Sequence, residues 1–287
     1  MVRQTDFLLR GGRAGVLLIH DLTGTPADMR SVGKGLNRAG FSVYGMQLAG
    51  HCGSEADLLG TGWRDWARSV ASAAERLRHE VDHLFVAGAS MGSVLALNLA
   101  IERPQWVSGL GLYGSTFIQD GWSVPRLTRL SCLLPLACGL GLFRRRRFPA
   151  RFPFGIKDER VRMRIAGALS NGHGHGVGLQ GEPWPSLAEF RKLVWHVRPR
   201  LRDVRSPALI MHAADDDIAS VRNVRMLERR VTGPTETVLL NNSYHRITLD
   251  GERDKVIARS VDFFSRILSE SPVRIPRARV FAARSVA

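Results

Sequence analysis

Cysteine is scarce in this sequence, with three in 287 residues, at Cys52, Cys132 and Cys138. Three thiols at irregular spacing are too few for a disulfide framework or a zinc site. His173 and His175 lie in a glycine-rich stretch without a carboxylate or cysteine beside them, which favours a mobile loop over a metal site. The sequence therefore predicts neither a bound metal nor a cofactor.

Acidic residues are also few, because 26 Asp and Glu stand against 41 Lys and Arg, a formal net charge of +15. Part of the excess lies in 271–287, where four arginines and no acid predict a flexible basic tail. The rest could attract an anionic membrane surface or an acidic carrier protein, and it could equally reflect an arginine-rich proteome. Nucleic acid is the weakest candidate, because the arginines are scattered and no known binding motif is present. We predict no nucleic-acid partner.

No hydrophobic run is long enough to cross a bilayer. The run Leu130–Phe143 is shorter than the about 20 residues required, and Pro135, Gly139 and Gly141 weaken a long helix there. Four arginines follow it at 144–147. The run is either a lid that lines an apolar pocket, which we favour, or a patch that touches membranes through lipid phosphates.

The first residues lack the features of a secretory signal. Met1–Arg13 contains Asp6 and an apolar stretch of only three residues. We therefore predict a cytoplasmic protein.

The sequence is rich in short apolar segments that alternate with amphipathic ones. Predicted strands such as Val16–His20, Leu84–Ala87 and Ala208–His212 alternate with predicted helices such as Trp63–His79 and Asp254–Leu268. This order predicts an α/β fold, with a mostly parallel sheet covered by helices on both faces.

The interval 116–201 interrupts the alternation and is predicted to be a cap or lid insertion. Residues 1–115 and 202–270 are then the two parts of the core, and 271–287 is the basic tail. A chain of 287 residues with 44% apolar content is sufficient for one such domain.

The most informative motif is Gly88-Ala89-Ser90-Met91-Gly92, which follows the apolar run Leu84–Ala87 and precedes an apolar helical segment. A serine between two glycines at a strand-to-helix turn fits a nucleophile elbow, in which a strained turn presents the hydroxyl at the end of a sheet. Ser90 is therefore the candidate nucleophile.

A nucleophilic serine needs a base to remove its proton and an acid to orient that base. After residue 200, His212 ends a strand-like run and His245 lies in a polar loop after the next one. Loops at strand ends commonly carry catalytic side chains, so His245 is the candidate base and His212 a structural residue. The acid is expected in the loop after His212, where spacing alone does not separate Asp215, Asp216 and Asp217. The middle one, Asp216, is our candidate.

Three segments, His20–Pro26, Gly88–Gly92 and Asn242–Asp250, resemble signature segments of bacterial carboxylesterases and monoacylglycerol lipases of the α/β-hydrolase fold. The resemblance implies Ser90 as nucleophile and His245 as base. It also implies Asp216 as the acid, because the family's acid precedes a short apolar pair by two positions.

Acyl transfer further needs amides that hold the negative oxygen of the tetrahedral intermediate. One is expected at Met91, at the positive end of the following helix, and the resemblance implies Leu22 as the second. The sequence departs from the family pattern at Asp21, where glycine is usual, and at Cys52, where glycine is common. Asp21 is either harmless or slows turnover, and Cys52 is interpreted as a small thiol buried beside the site.

The resemblance implies a serine hydrolase that cleaves carboxylic esters of medium or long acyl chains. Dehalogenases and epoxide hydrolases of the same fold normally carry aspartate at the elbow, so Ser90 argues against both. Two alternatives remain. The basic charge would suit a thioesterase that acts on acyl carrier protein or acyl-coenzyme A, and Asp21 would suit a non-catalytic acyl-binding protein.

Overall fold

The structure, a computed structural model, describes residues 5–125, 131, 133–142, 146–170 and 181–270. The strands of its main sheet are β1 (Phe7–Leu9), β2 (Ala14–Ile19), β3 (Ser42–Met46), β4 (His83–Ala89), β5 (Gly109–Tyr113), β8 (Ala208–Ala213) and β9 (Thr235–Leu240). They form a seven-stranded sheet in the order β1-β3-β2-β4-β5-β8-β9. All neighbours are parallel except β1, which pairs antiparallel with β3 at one edge. A separate antiparallel pair joins β6 (Arg147–Pro149) to β7 (Gly181–Pro183).

The described helices are α1 (Pro26–Arg38), α2 (Glu55–Leu59), α3 (Trp63–Glu80), α4 (Met91–Glu102), α5 (Leu134–Gly139), α6 (Glu159–Ser170), α7 (Trp184–Val197), α8 (Arg222–Arg230) and α9 (Arg253–Glu270). α1 and α9 cover one face of the sheet, α3 and α4 pack on the other, and α7 packs against α3 and α4. The predicted α/β fold with a mostly parallel sheet is confirmed.

The central strands are buried on both faces, as a parallel sheet between two helical layers requires. Every residue of β5 and β8 is buried. In α4, which follows the serine motif, all residues from Met91 to Ile101 are buried. A helix that is apolar all round is stable only inside a core, so the element that carries the serine is rigidly packed.

The assignment of residues 116–201 to a separate cap stays a prediction. Its described part contains α5, α6, α7 and the β6–β7 pair. The apolar side of α7 joins the same core cluster as α4 through Leu187, Phe190 and Leu193.

The exposure of the leucine-rich run does not match our preferred interpretation, in which the run is a lid that lines a pocket. Four of its leucines, Leu133, Leu136, Leu140 and Leu142, are between 51% and 79% exposed. Cys132, the glycine-rich segment with His173 and His175, and the tail 271–287 lie outside the described residues. Within the described ranges, no helix combines the length and the apolar character that a membrane crossing demands.

Candidate active site

Ser90 lies between β4 and α4, where the chain turns sharply from strand to helix. Its φ of 51° and ψ of −114° are values that residues with a Cβ rarely adopt. Its amide donates to the Tyr113 carbonyl at 2.8 Å, and its carbonyl accepts from the Ser93 hydroxyl at 2.6 Å. Contacts on both sides therefore maintain the strained turn.

The glycines on either side of Ser90 are required by close backbone packing. A Cβ at Gly88 would lie 2.2 Å from the backbone of Gly92, and a Cβ at Gly92 would lie 2.4 Å from the Ile19 carbonyl oxygen. Neither neighbour is a flexible side chain that could move aside. Both positions consequently exclude any residue larger than glycine without a backbone shift.

Asp216 and His245 meet at the carboxyl ends of β8 and β9. The Nδ1 atom of His245 lies 2.8 Å from Oδ2 and 3.1 Å from Oδ1 of Asp216, and both side chains are buried. Asp216 Oδ1 also accepts from the amides of Ile218 and Ala219, at 2.8 and 2.7 Å. The amides of its own loop thus hold the Asp216 carboxylate in the orientation in which it contacts the His245 ring.

The other two aspartates of this loop occupy different positions. Asp215 is exposed, and Asp217 accepts from the backbone amide of His245 at 3.2 Å. His212 is buried, with Nε2 donating to the Ala219 carbonyl at 2.6 Å, and burial lowers its pKa. His212 therefore stabilises the loop that carries Asp216 through this hydrogen bond. Asp216 is the aspartate that contacts the His245 ring.

The carboxylates around His245 favour its protonated form. Burial, the largest single contribution, lowers the pKa of His245, but Asp216, Asp21 and Asp217 together raise it to about 9. Burial raises the pKa of Asp216, yet the charges of His245 and His212 bring it below its ordinary value. The electrostatics of the site thus favour an imidazolium–carboxylate pair.

Ser90 and His245 are linked through Thr116. The Ser90 hydroxyl lies 3.2 Å from Thr116 Oγ1, which lies 3.5 Å from His245 Nε2 and donates to the Gly114 carbonyl at 3.1 Å. Because the Thr116 hydroxyl donates its hydrogen to the Gly114 carbonyl, the Thr116 oxygen can accept a hydrogen bond from the Ser90 hydroxyl. Nothing in the sequence marks Thr116, because its position depends on how the chain leaves β5.

The amides of Leu22 and Met91 point at the same atom. Both donate to Oδ1 of Asp21, at 2.7 and 3.2 Å. The two predicted donors come from different elements, the loop after β2 and the first turn of α4, yet they converge on one oxygen. That oxygen occupies the place that an oxyanion bound by the two amides would take.

His20 anchors the loop that carries Asp21. Its Nδ1 donates to the Asp21 carbonyl at 2.8 Å, and its Nε2 accepts from the Leu48 amide at 3.2 Å. Burial and the neighbouring His51 lower the pKa of His20 to about 3, so the ring is neutral and able to both donate and accept.

A cavity of about 180 Å³ opens beside Ser90 and His245. Much of its lining is apolar and comes from the interval 116–201, namely Val124, Pro125, Phe148, Pro149, Phe154 and Phe190. Its polar lining includes Asp21, Gln119, Glu182 and Arg246. The space next to the serine therefore has both apolar and polar lining, and part of the polar lining is acidic.

Glu182 is the least expected residue of this lining. Burial is the main cause that raises its pKa to about 7, and the charge of Asp21 adds to the effect. It contacts Gln119, whose Oε1 accepts from Arg191 Nη2 at 2.6 Å. Gln119 lies more than 60 residues before Glu182 and Arg191, so no motif could have indicated this contact.

Cys52 is half-buried and lies near Thr5, and burial raises the pKa of its thiol. Its φ of 65° is left-handed, a conformation that favours glycine. Among the residues described, no group of three or more His, Cys, Asp or Glu side chains is placed to hold a metal ion.

The sheet order, the strained serine between β4 and α4, and the strand-end loops that carry Asp216 and His245 define the class of protein. The chain has the α/β-hydrolase fold. The profile of a family described as "Serine aminopeptidase, S33" matches residues 12–149.

Two curated relatives cover nearly the whole chain. A thermostable monoacylglycerol lipase from a Bacillus species is 28% identical over 91% of this chain and 94% of its own. A carboxylesterase from Bacillus subtilis is 24% identical over 93% and 98%. The solved structure of a monoacylglycerol lipase from Paleococcus ferrophilus has a TM-score of 0.75 at 16% identity and covers 94% of this chain and 100% of that one. This protein is thus similar in fold to lipases and esterases.

Proposed function

We propose that this protein is a serine hydrolase that cleaves carboxylic esters of medium or long acyl chains through an acyl-enzyme. One observation carries the proposal. The strained Ser90, the Asp216–His245 pair and two amides directed at one oxygen come together at one edge of the sheet. The names of the Bacillus relatives support ester substrates.

In the proposed reaction Ser90 is the nucleophile. Its hydroxyl leaves Thr116, approaches Nε2 of His245 and attacks the ester carbonyl carbon while the ring takes its proton. Asp216 holds Nδ1 and stabilises the imidazolium that forms. When the bond to the alcohol breaks, His245 returns the proton to the leaving oxygen. A water molecule then releases the acid by the same two steps.

Leu22 and Met91 are the proposed donors to the oxyanion. Donors fixed before the reaction stabilise the developing charge without reorganisation. The apolar side of the cavity supports an acyl-chain pocket, because Phe148, Phe154 and Phe190 offer hydrocarbon surface next to Ser90.

The test is a chain-length series of p-nitrophenyl esters and monoacylglycerols. We expect hydrolysis with a preference for medium or long chains, and we expect Ser90→Ala to lower kcat by about 10⁴-fold or more. The matched control is Ser265→Ala, at an exposed site in α9, which should keep the parent rate. Hydrolysis that survives in Ser90→Ala would remove the proposed nucleophile.

A second candidate function is hydrolysis of acyl thioesters carried by an acidic protein or by coenzyme A. The observation that favours it is a cavity of about 390 Å³ lined by Arg198, Arg222, Arg225, Arg229 and Arg230. Ile118 also lines this cavity, whereas the adjacent Gln119 lines the cavity at Ser90. An anionic carrier bound to the arginines would therefore lie near the site.

The two candidates are separated by comparing acyl carrier protein thioesters with esters of the same chain length. Arg225→Glu with Arg229→Glu should raise KM for the carrier thioester alone if the carrier binds there. A preference for the ester at every chain length would exclude the thioester function.

A further inference from the structure

The carboxylate of Asp21 lies where the proposed reaction must place the oxyanion. Its Oδ1 accepts from the Leu22 amide at 2.7 Å and from the Met91 amide at 3.2 Å. A substrate carbonyl oxygen that is to gain both hydrogen bonds has to take the position of this carboxylate oxygen.

The position of Asp21 is fixed by its backbone. The Asp21 carbonyl accepts from His20 Nδ1 at 2.8 Å and from the Gly24 amide at 3.0 Å. The loop is therefore held in place, and the carboxylate can leave only by rotation of its own side chain.

The interaction is also favourable by its chemistry. A carboxylate that accepts from two amides forms charge-assisted hydrogen bonds, which are shorter and stronger than neutral ones. The Met91 amide belongs to the first turn of α4, whose N-terminus carries partial positive charge. The Asp21 carboxylate and the oxyanion of the reaction are both negatively charged, so they compete for the same two amides.

We propose, on the basis of the proposed function, that Asp21 limits the rate of this enzyme. Its carboxylate occupies the oxyanion position in the free enzyme and must be displaced before an ester reacts. Leu22 and Met91 then act on the substrate only after Asp21 rotates away. The residue is an internal competitor of the substrate, and it lowers the rate that the remaining machinery can reach.

Two substitutions separate occupation of the position from charge. Asp21→Ala removes the side chain from the amides. Asp21→Asn keeps an oxygen of the same reach but removes the charge. We expect kcat/KM for a p-nitrophenyl ester to rise by about tenfold or more in Asp21→Ala, because each oxyanion donor is worth about a hundredfold in other enzymes. Asp21→Asn should lie between Asp21→Ala and the unmodified protein.

A second measurement does not depend on turnover. A trifluoromethyl ketone that adds to Ser90 places a negative oxygen on the same two amides. Its inhibition constant should fall in Asp21→Ala in parallel with the rise in kcat/KM. Asp203→Asn, which removes one carboxylate at an exposed site, is the control for net charge and should leave both values unchanged.

The inference is overturned if both Asp21 variants are folded, the unmodified protein hydrolyses esters through Ser90, and neither kcat/KM nor ketone affinity increases. Failure of the proposed function itself would give a different result. If neither the unmodified protein nor the variants hydrolyse esters, and a fluorophosphonate leaves Ser90 unlabelled in all of them, the proposed function fails and the inference fails with it.

Discussion

At the scale of single residues, the charge around His245 determines when it can act as a base. The titratable groups near its ring are His212 from β8, Asp216 and Asp217 from the loop after β8, Asp21 from the loop after β2, and Glu182 from β7. Their balance raises the pKa of His245 to about 9. Since a base must be neutral to accept a proton, these charges favour the form of His245 that cannot act as a base.

We therefore expect kcat/KM to rise with pH and to reach half of its maximum near pH 9, the value of the His245 pKa. Asp21→Asn removes one of the charges that raise this pKa, so its midpoint should move to lower pH. The measurement is a profile of kcat/KM in overlapping buffers from about pH 5 to about pH 10. A midpoint near the ordinary value of histidine, unchanged by Asp21→Asn, would contradict the electrostatic account.

At the scale of elements, the turn from β4 to α4 depends on its two glycines. Gly88→Ala would place a Cβ 2.2 Å from the backbone of Gly92, so we expect the free energy of unfolding to fall by about 1–3 kcal/mol or more, as in other overpacked cores. Gly167→Ala in α6 is the matched control, because an added Cβ there meets nothing within 4 Å. Urea unfolding followed by circular dichroism compares the two. Equal stability of the two variants would show that the turn tolerates a side chain.

The regular elements were predictable where apolar spacing is strong. α3 begins at the predicted residue Trp63, and α4 follows the serine motif as predicted, because each helix has a clear start and a continuous apolar side. β1 was not predicted, since its three residues pair only at the sheet edge and carry no repeated pattern. α2, with five residues, is too short to show helical periodicity.

The site was predictable in the loops that follow strands, and much less elsewhere. Position after predicted strands indicated His245 and the loop of three aspartates, the resemblance favoured Asp216 among them, and the structure brings Asp216 and His245 together. Thr116 and Glu182 were not indicated, because their closeness to Ser90 results from the packing of distant segments. Asp21 was recognised as a departure from the family pattern, but its contact with both amides depends on a side-chain rotamer that a sequence does not specify.

At the scale of the whole molecule, a basic surface and exposed leucines occur together. The net charge is +15, and Leu136 and Leu140 of the α5 region are 66% and 79% exposed. Apolar side chains that enter a lipid surface, combined with positive charge, favour anionic membranes. We expect the protein to sediment with phosphatidylglycerol vesicles at low salt and to be released at high salt, where charges are screened.

Substitution of Leu136 and Leu140 together by glutamate should weaken vesicle binding without changing hydrolysis of a water-soluble ester. The control substitutes Leu239, an exposed leucine of β9, by glutamate. Equal binding of the double variant and the control would show that the leucines of this region do not contact lipid.

The central claim, that Ser90 is an activated nucleophile, is tested most directly by mass spectrometry after treatment with a fluorophosphonate. The account predicts one adduct per folded molecule, located on the peptide that contains Ser90, and none in Ser90→Ala or in denatured protein. Such labelling would also exclude a non-catalytic acyl-binding protein. A folded protein that stays unlabelled, or an adduct on another residue, would contradict the account.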